Sequence, residues 1–179
     1  KANRKLKELV DRDPLTGLYN RRYAERKFTD LLDFCLRSDQ NITVALLDLD
    51  LFKRINDNYG HLAGDECLRI FAQLLQKYFK RDIDIIARYG GEEFLLILPL
   101  TNDLHIEHHL NSFREALAVF DIISPEDQKS FNVTVSIGAI SASAKYADEL
   151  DKWIKIADDN LYQAKQHGRN KTIIHIINE

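Results

Sequence analysis

"ARYGGEEFLLIL", residues 87–98, sets two glycines and two glutamates directly ahead of an unbroken apolar run. The segments IIARY and EFLLILPL meet at Gly90 and Gly91. A Gly-Gly connection between two apolar segments predicts a hairpin, because the favoured two-residue turns need positive φ, which glycine adopts without strain. Glu92 and Glu93 then stand at the tip of a strand that belongs to the core.

A second acidic strand end lies upstream. "ITVALLDLD", residues 42–50, is almost continuously apolar and β-branched until its last residues, the pattern of a central strand covered on both faces. Asp48 and Asp50 are two apart and point the same way in a regular strand, with Leu49 opposed. The same alternation sends one of Glu92 and Glu93 toward Asp48 and the other away. Carboxylates gathered at neighbouring strand ends raise each other's pKa unless a cation lies between them. Magnesium suits such a place, since it takes one or two carboxylates, water and substrate phosphate. The competing reading, acids that merely solubilise turns, fits lone surface glutamates better than four acids abutting two buried strands.

The remaining pattern supplies the rest of the fold. Helical spacing over 21–36 puts Tyr23, Phe28, Leu31, Leu32 and Cys35 on one face, and further helices are predicted at 65–79, 103–120 and 148–167. Strands are predicted at 131–142 and 172–177. The sum is an α+β fold, a five-stranded central sheet with surrounding helices. Leu6, Leu9 and Val10, flanked by lysines, suit the end of an upstream helical linker over 1–12, which leaves 13–179 as one domain.

Composition bounds the function. With 179 residues, 45% apolar, the chain can bury one sizeable core. Its 25 basic and 28 acidic residues create no overall positive field, which argues against nucleic acid as the main partner. No uncharged apolar stretch is long enough for a bilayer, so a cytoplasmic domain is expected. Cys35 and Cys67 sit in apolar, helix-like contexts and read as free thiols. The chain contains no methionine, and is expected to be a piece of something longer.

Two more stretches carry chemistry. "DLDLFKRINDNYGHLAGDE", 48–66, runs from the acidic strand end into a helix start near Leu51 to Lys53, whose backbone N–H groups form an anion site. Asn56 and Asp65 offer an amide and a carboxylate suited to the edge of a base. Equally, they suit a turn former and an N-cap. "YQAKQHGRNKT" ends a helix at Gly168 with Lys165 and Arg169 beside it, either a charged helix terminus or a clamp for phosphates. "HIEHH" reads as a solvated helix start and Trp153 as core.

Taken together, these blocks resemble a known family. RYGGEEF is similar to the signature of the GGDEF diguanylate cyclases in its GGEEF form. DPLTGLYNRR, DLDLFKRINDNYGHLAGDE, ARYGGEEFLLILP, VTVSIGA and ADDNLYQAKQHGRNKT follow in the family's order and spacing from Asp13 onward. The resemblance implies a sheet like that of the nucleotidyl cyclase and polymerase palm. It implies that Asp48 and Glu92 bind Mg²⁺ (or Mn²⁺) with the Leu49 carbonyl, Glu93 staying close. Asn56 and Asp65 match its guanine readers, His61 a substrate-site histidine, and Lys165 and Arg169 its phosphate-binding pair. Leu51 stands where the family often has histidine, which leaves the backbone contacts of Leu51, Phe52 and Lys53 in place.

The reaction so implied condenses two GTP into cyclic di-GMP with release of two pyrophosphates, in an antiparallel homodimer, with Glu92 the candidate to accept the hydroxyl proton. An upstream sensor domain is expected in the full-length chain. "RDID", Arg81 to Asp84, resembles the family's Arg-x-x-Asp inhibitory site for the product. The competing readings are a non-catalytic cyclic di-GMP or GTP receptor and a dimerisation module. Receptors of this kind usually carry a degraded signature, and here the acidic, base-reading and phosphate-binding positions are all present.

Overall fold

The structure is a computed structural model; it describes residues 2–178, and residues 7–9 by their backbone alone. In chain order the elements are α1 (Ala2–Asp11), β1 (Tyr19–Asn20), α2 (Arg21–Arg37), β2 (Asn41–Leu49), α3 (Phe52–Tyr59) and α4 (His61–Tyr78). There follow β3 (Ile85–Gly90), β4 (Glu93–Pro99), α5 (Asp103–Ala118), β5 (Ile122–Ile123), β6 (Ser130–Phe131), β7 (Val135–Ser143), α6 (Leu150–Gln166) and β8 (Thr172–Ile177).

Strand β2 is the middle of the molecule. The main sheet has the order β1-β3-β4-β2-β7-β8, and β2 pairs antiparallel with both β4 and β7. Being flanked on both sides and covered on both faces, β2 is buried from Ile42 to Leu49, which explains its near-continuous apolar sequence. Its alternation divides the core in two. Ala45, Leu47 and Leu49 face α4 and α5 with Phe71 and Phe113; Ile42, Val44 and Leu46 face α2 and α6 with Phe28 and Trp153. Trp153 is fully buried and donates its indole N–H to the Ala147 carbonyl at 3.0 Å, as a buried indole requires. Cys35 and Cys67 are both free and buried.

The five expected strands are present as β2, β3, β4, β7 and β8, and the sheet gains a sixth, the two-residue β1 beside β3. Three boundaries differ from expectation. The strand foreseen over 131–142 is divided: Phe131 pairs in the small β5–β6 hairpin, and β7 begins at Val135. Helix α4 begins at His61, not at Asp65, because Gly60 at φ +90° closes α3 and opens α4 without a break. The hairpin turn is Gly91-Glu92 and not Gly90-Gly91; a bulge between Arg88 and Gly90 advances the register so that Gly90 pairs with Glu93. Gly91 holds the positive φ, +48°.

At the N-terminus, α1 leaves Leu6 and Val10 exposed. Leu9, expected on the same face, lies outside the described side chains. Among the described residues no helix is long and apolar enough to cross a membrane.

Helix α6 lies unusually close to the sheet at Gly138 of β7. A Cβ there would meet the Ala157 carbonyl oxygen and the Leu161 nitrogen, each at 2.1 Å. Backbone cannot retreat as a flexible side chain does, so Gly138→Ala is expected to cost roughly 3 kcal/mol or more, read as a lowered urea midpoint with α6 displaced.

Candidate functional site

The β2–β4 register sets Asp48 directly opposite Glu93, both on the face covered by α6. Glu92 occupies the turn, and its carbonyl accepts the Leu49 N–H at 3.3 Å, so ladder pairing continues to the strand tips. Of the two glutamates, then, Glu93 is the one aligned with Asp48, while Glu92 projects from the turn beside Leu49. Arg88 braces that turn: its Nε donates to the Gly91 carbonyl at 2.9 Å, and its Nη1 reaches both carboxylate oxygens of Asp13 at 3.2 and 3.3 Å.

Asp48 is buried and Glu93 partly so. Burial pushes the Asp48 carboxyl above its ordinary pKa; the hydrogen bond and charge of Lys165 pull against this, and the charges of Glu92 and Asp50 add to it. Glu93 is likewise raised by burial and then by the Asp48 charge. Lys165 of α6 pairs with Asp48 itself. A lysine expected to face phosphates thus rests on a carboxylate.

Among the described residues no three His, Cys, Asp or Glu side chains close into a metal cage. A magnesium ion does not require one, because substrate phosphate and water complete its coordination. Two desolvated carboxylates, their pKa values raised by burial and by one another, form a donor set that fits a hard divalent cation. Asp50 plays another part. Its carboxylate accepts from Thr134 Oγ1 at 2.7 Å, Ser136 Oγ at 2.6 Å and the Asn170 N–H at 3.0 Å, so its capacity is already taken by protein.

Beyond β2 the chain turns sharply into α3. Leu51, the N-cap, has φ +55°, a left-handed conformation that costs a leucine roughly 1 kcal/mol or more, and no side chain caps this helix. The first-turn N–H groups of α3 are left without a side-chain acceptor beside the carboxylates, as an anion site needs. Phe52 is half-buried there and Lys53 exposed.

Asn56 lies in α3 and Asp65 in the second turn of α4, which removes the N-cap reading of Asp65. The helices are pressed together at Gly64, where a Cβ would lie 1.9 Å from Asn56 Oδ1. Gly64 therefore makes the space in which the Asn56 amide sits one residue from Asp65, a role no motif signalled. His61 is exposed as the first residue of α4. Arg169 is exposed in the turn after α6, at φ +62°.

Arg81 and Asp84 lie elsewhere, before β3, and satisfy each other. Arg81 donates to Asp84 Oδ1 through Nε at 3.0 Å and Nη2 at 2.7 Å, and to the Pro99 carbonyl at 2.7 Å. Beside them opens a groove of about 380 Å³, floored by Phe79, Leu98 and Ile106 and edged by His105 and His108. The HIEHH histidines are exposed in the first turns of α5, which Asn102 caps through the Leu104 N–H at 3.0 Å.

Comparison with known proteins gives the family. The family model "Diguanylate cyclase, GGDEF domain" matches residues 10–171. The chain belongs to the GGDEF-domain diguanylate cyclase family. It is 39% identical over 169 residues to the response regulator PleD of Caulobacter vibrioides, covering 93% of this chain and 36% of that protein. It is 38% identical over 166 residues to the probable diguanylate cyclase DgcF of Escherichia coli K12, covering 91% of this chain and 51% of DgcF. The GGDEF chain thus spans about half or less of these relatives. The coiled coil and GGDEF domain of DgcB from Caulobacter crescentus, solved with c-di-GMP, superposes with a TM-score of 0.90 at 24% identity, over 97% of this chain and 90% of that one. That likeness shows the fold, which is the one expected.

Two outcomes follow. Gly64→Ala sets a Cβ against Asn56 Oδ1 and should push α3 off α4, read as a lowered urea midpoint with helix content by circular dichroism little changed. For the acidic cluster, a carboxyl whose folded pKa is raised contributes stability below its ordinary range and loses it as pH rises through the folded pKa. In metal-free protein, Glu93→Gln should therefore be more stable than the wild type at pH 7.5 and indistinguishable at pH 4, by urea midpoints; a difference independent of pH would contradict the electrostatic account.

Proposed function

We propose that this domain condenses two GTP into cyclic di-GMP, releasing two pyrophosphates, as an antiparallel homodimer. The observation that carries this is the pairing of Asp48 with Glu93 at the β2–β4 tips, with Glu92 in the turn between them and the start of α3 alongside. Asp48, the Leu49 carbonyl and Glu92, with Glu93 close, would hold Mg²⁺ or Mn²⁺, which supplies neutralisation of the triphosphate charge when bound.

The chain's own groups do the rest. The α3 N–H groups of Leu51, Phe52 and Lys53 take phosphate oxygens. The Asn56 amide and Asp65 carboxylate read the guanine edge; a carboxylate accepts from N1–H and the 2-amino group but finds no such pair on adenine, and an unmatched buried polar group costs about 1–3 kcal/mol. His61 borders that pocket. Lys165 and Arg169 bring positive charge to the terminal phosphates, Lys165 reaching from α6 onto the face of Asp48. Each 3′-hydroxyl attacks the α-phosphorus of the opposite GTP; the new P–O bond forms as the bond to pyrophosphate breaks, and the proton passes to Glu92 or to water. Since one domain holds one GTP, two copies must face each other, and alignment plus charge neutralisation account for most of the rate.

Regulation is part of the same reading. Arg81 and Asp84 would open their mutual pair to bind the product's phosphate and guanine edge, restraining the dimer. A sensor upstream of α1 would set the dimer geometry.

One experiment decides. Purified protein with GTP and Mg²⁺ should release pyrophosphate with a specific activity that rises with protein concentration, and Glu92→Gln should abolish it. Added cyclic di-GMP should slow the wild type and leave Arg81→Ala unaffected. Binding of GTP or cyclic di-GMP without pyrophosphate release, at concentrations where the protein is dimeric, would replace the enzyme with a receptor.

A further inference from the structure

The turn after α6 has an unusual backbone. Gly168, Arg169 and Asn170 all have positive φ, at +105°, +62° and +46°. Glycine and asparagine adopt this conformation readily, but for Arg169 it is strained, so the turn is held best where its surroundings impose it. Two groups outside the turn do so. The Asp50 carboxylate, buried at the end of β2, accepts the Asn170 N–H at 3.0 Å. Arg114 of α5, only 17% exposed, donates through Nη1 to both the Asn170 carbonyl at 3.2 Å and the Asn170 Oδ1 at 2.9 Å. Its Nε is committed to Asn111 Oδ1 at 3.1 Å, which fixes the guanidinium plane.

We infer that Arg114 is a positioning residue for phosphate binding: with Asp50, it holds Asn170 so that Arg169 faces the nucleotide. This rests on the reading of Arg169 as a phosphate ligand. The acid that sequence pattern grouped with the metal carboxylates serves instead as one jaw of this clamp, and a guanidinium from a helix on the opposite face of the sheet serves as the other. Neither jaw touches substrate. Asn170, the residue after Arg169, is held between the end of β2 and α5, and Arg169 loses its aim when either lets go.

The test separates phosphate recognition from general folding. Calorimetric titration with Mg²⁺ compares a non-hydrolysable GTP analogue with GMP, in the wild type and in Arg114→Ala, Arg114→Lys and Arg169→Ala. Arg114→Ala should weaken the analogue about tenfold, the worth of a charge-assisted hydrogen bond, and leave GMP within about twofold. Arg114→Lys, which keeps a cation but has no Nε–H to bond Asn111 and fix its plane, should fall between, and gives the same readout if the alanine variant folds poorly. An unchanged ratio of analogue to GMP affinity in both Arg114 variants, while Arg169→Ala collapses it, overturns this inference and spares the nucleotide reading. A ratio that survives Arg169→Ala removes the phosphate role of Arg169 and this inference with it.

Discussion

Everything in the domain depends on the antiparallel pairing of β2 with β4. It is the one interaction that turns two distant acidic stretches into a single site. Seven residue pairs, from Ile42 with Pro99 to Asp48 with Glu93, are in unbroken register. A slip of one residue would send Leu47 to the α6 face and Asp48 into the core against Phe71, so the hydrophobic pattern itself enforces the alignment of the acids. The site is thereby paid for by the core. Crowding carboxylates against buried strands is unfavourable on its own, and the raised pKa values of Asp48 and Glu93 express that cost.

Around this pairing the molecule uses close backbone approach to set polar groups. Gly138 lets α6 sit hard against β7, and the buried Asn160 then donates to the Ala139 carbonyl at 2.8 Å. That approach brings Lys165 within reach of Asp48. Gly64 does the same for α3 and α4, making room for Asn56. In each case a missing Cβ, not a special backbone angle, is what the glycine contributes.

Several charged groups are held by one another rather than left open. Lys165 rests on Asp48, Arg81 on Asp84, and Arg88 on Asp13 and the Gly91 carbonyl. Such pairs stabilise little where they are exposed, but they hold charge in readiness without an unpaired buried ion. The Arg88 brace also joins the turn bearing Glu92 to the segment immediately after α1, so the hairpin tip and the entry of the chain into the domain are mechanically linked.

Sequence by itself determined the strands, their central position and the gathering of acids. Period and burial are written locally: β2 is apolar on both faces because it lies in the middle, and Gly-Gly between apolar runs forces a hairpin. It also singled out Asp48, Glu92, Asn56 and Asp65 as candidate site positions, since motif spacing is legible without coordinates. Only tertiary structure decided which glutamate aligns with Asp48, because a bulge at Tyr89 moved the turn by one residue, and a bulge leaves no trace in hydrophobic period. Tertiary structure likewise placed Asp65 inside α4, with Gly60 joining α3 directly to a second helix whose start had been expected later, at Asp65. It separated Asp50 from the other three acids and tied it to the Gly168–Asn170 turn. A carboxylate's role depends on which donors reach it, and Thr134, Ser136 and Asn170 come from stretches more than eighty residues away along the chain.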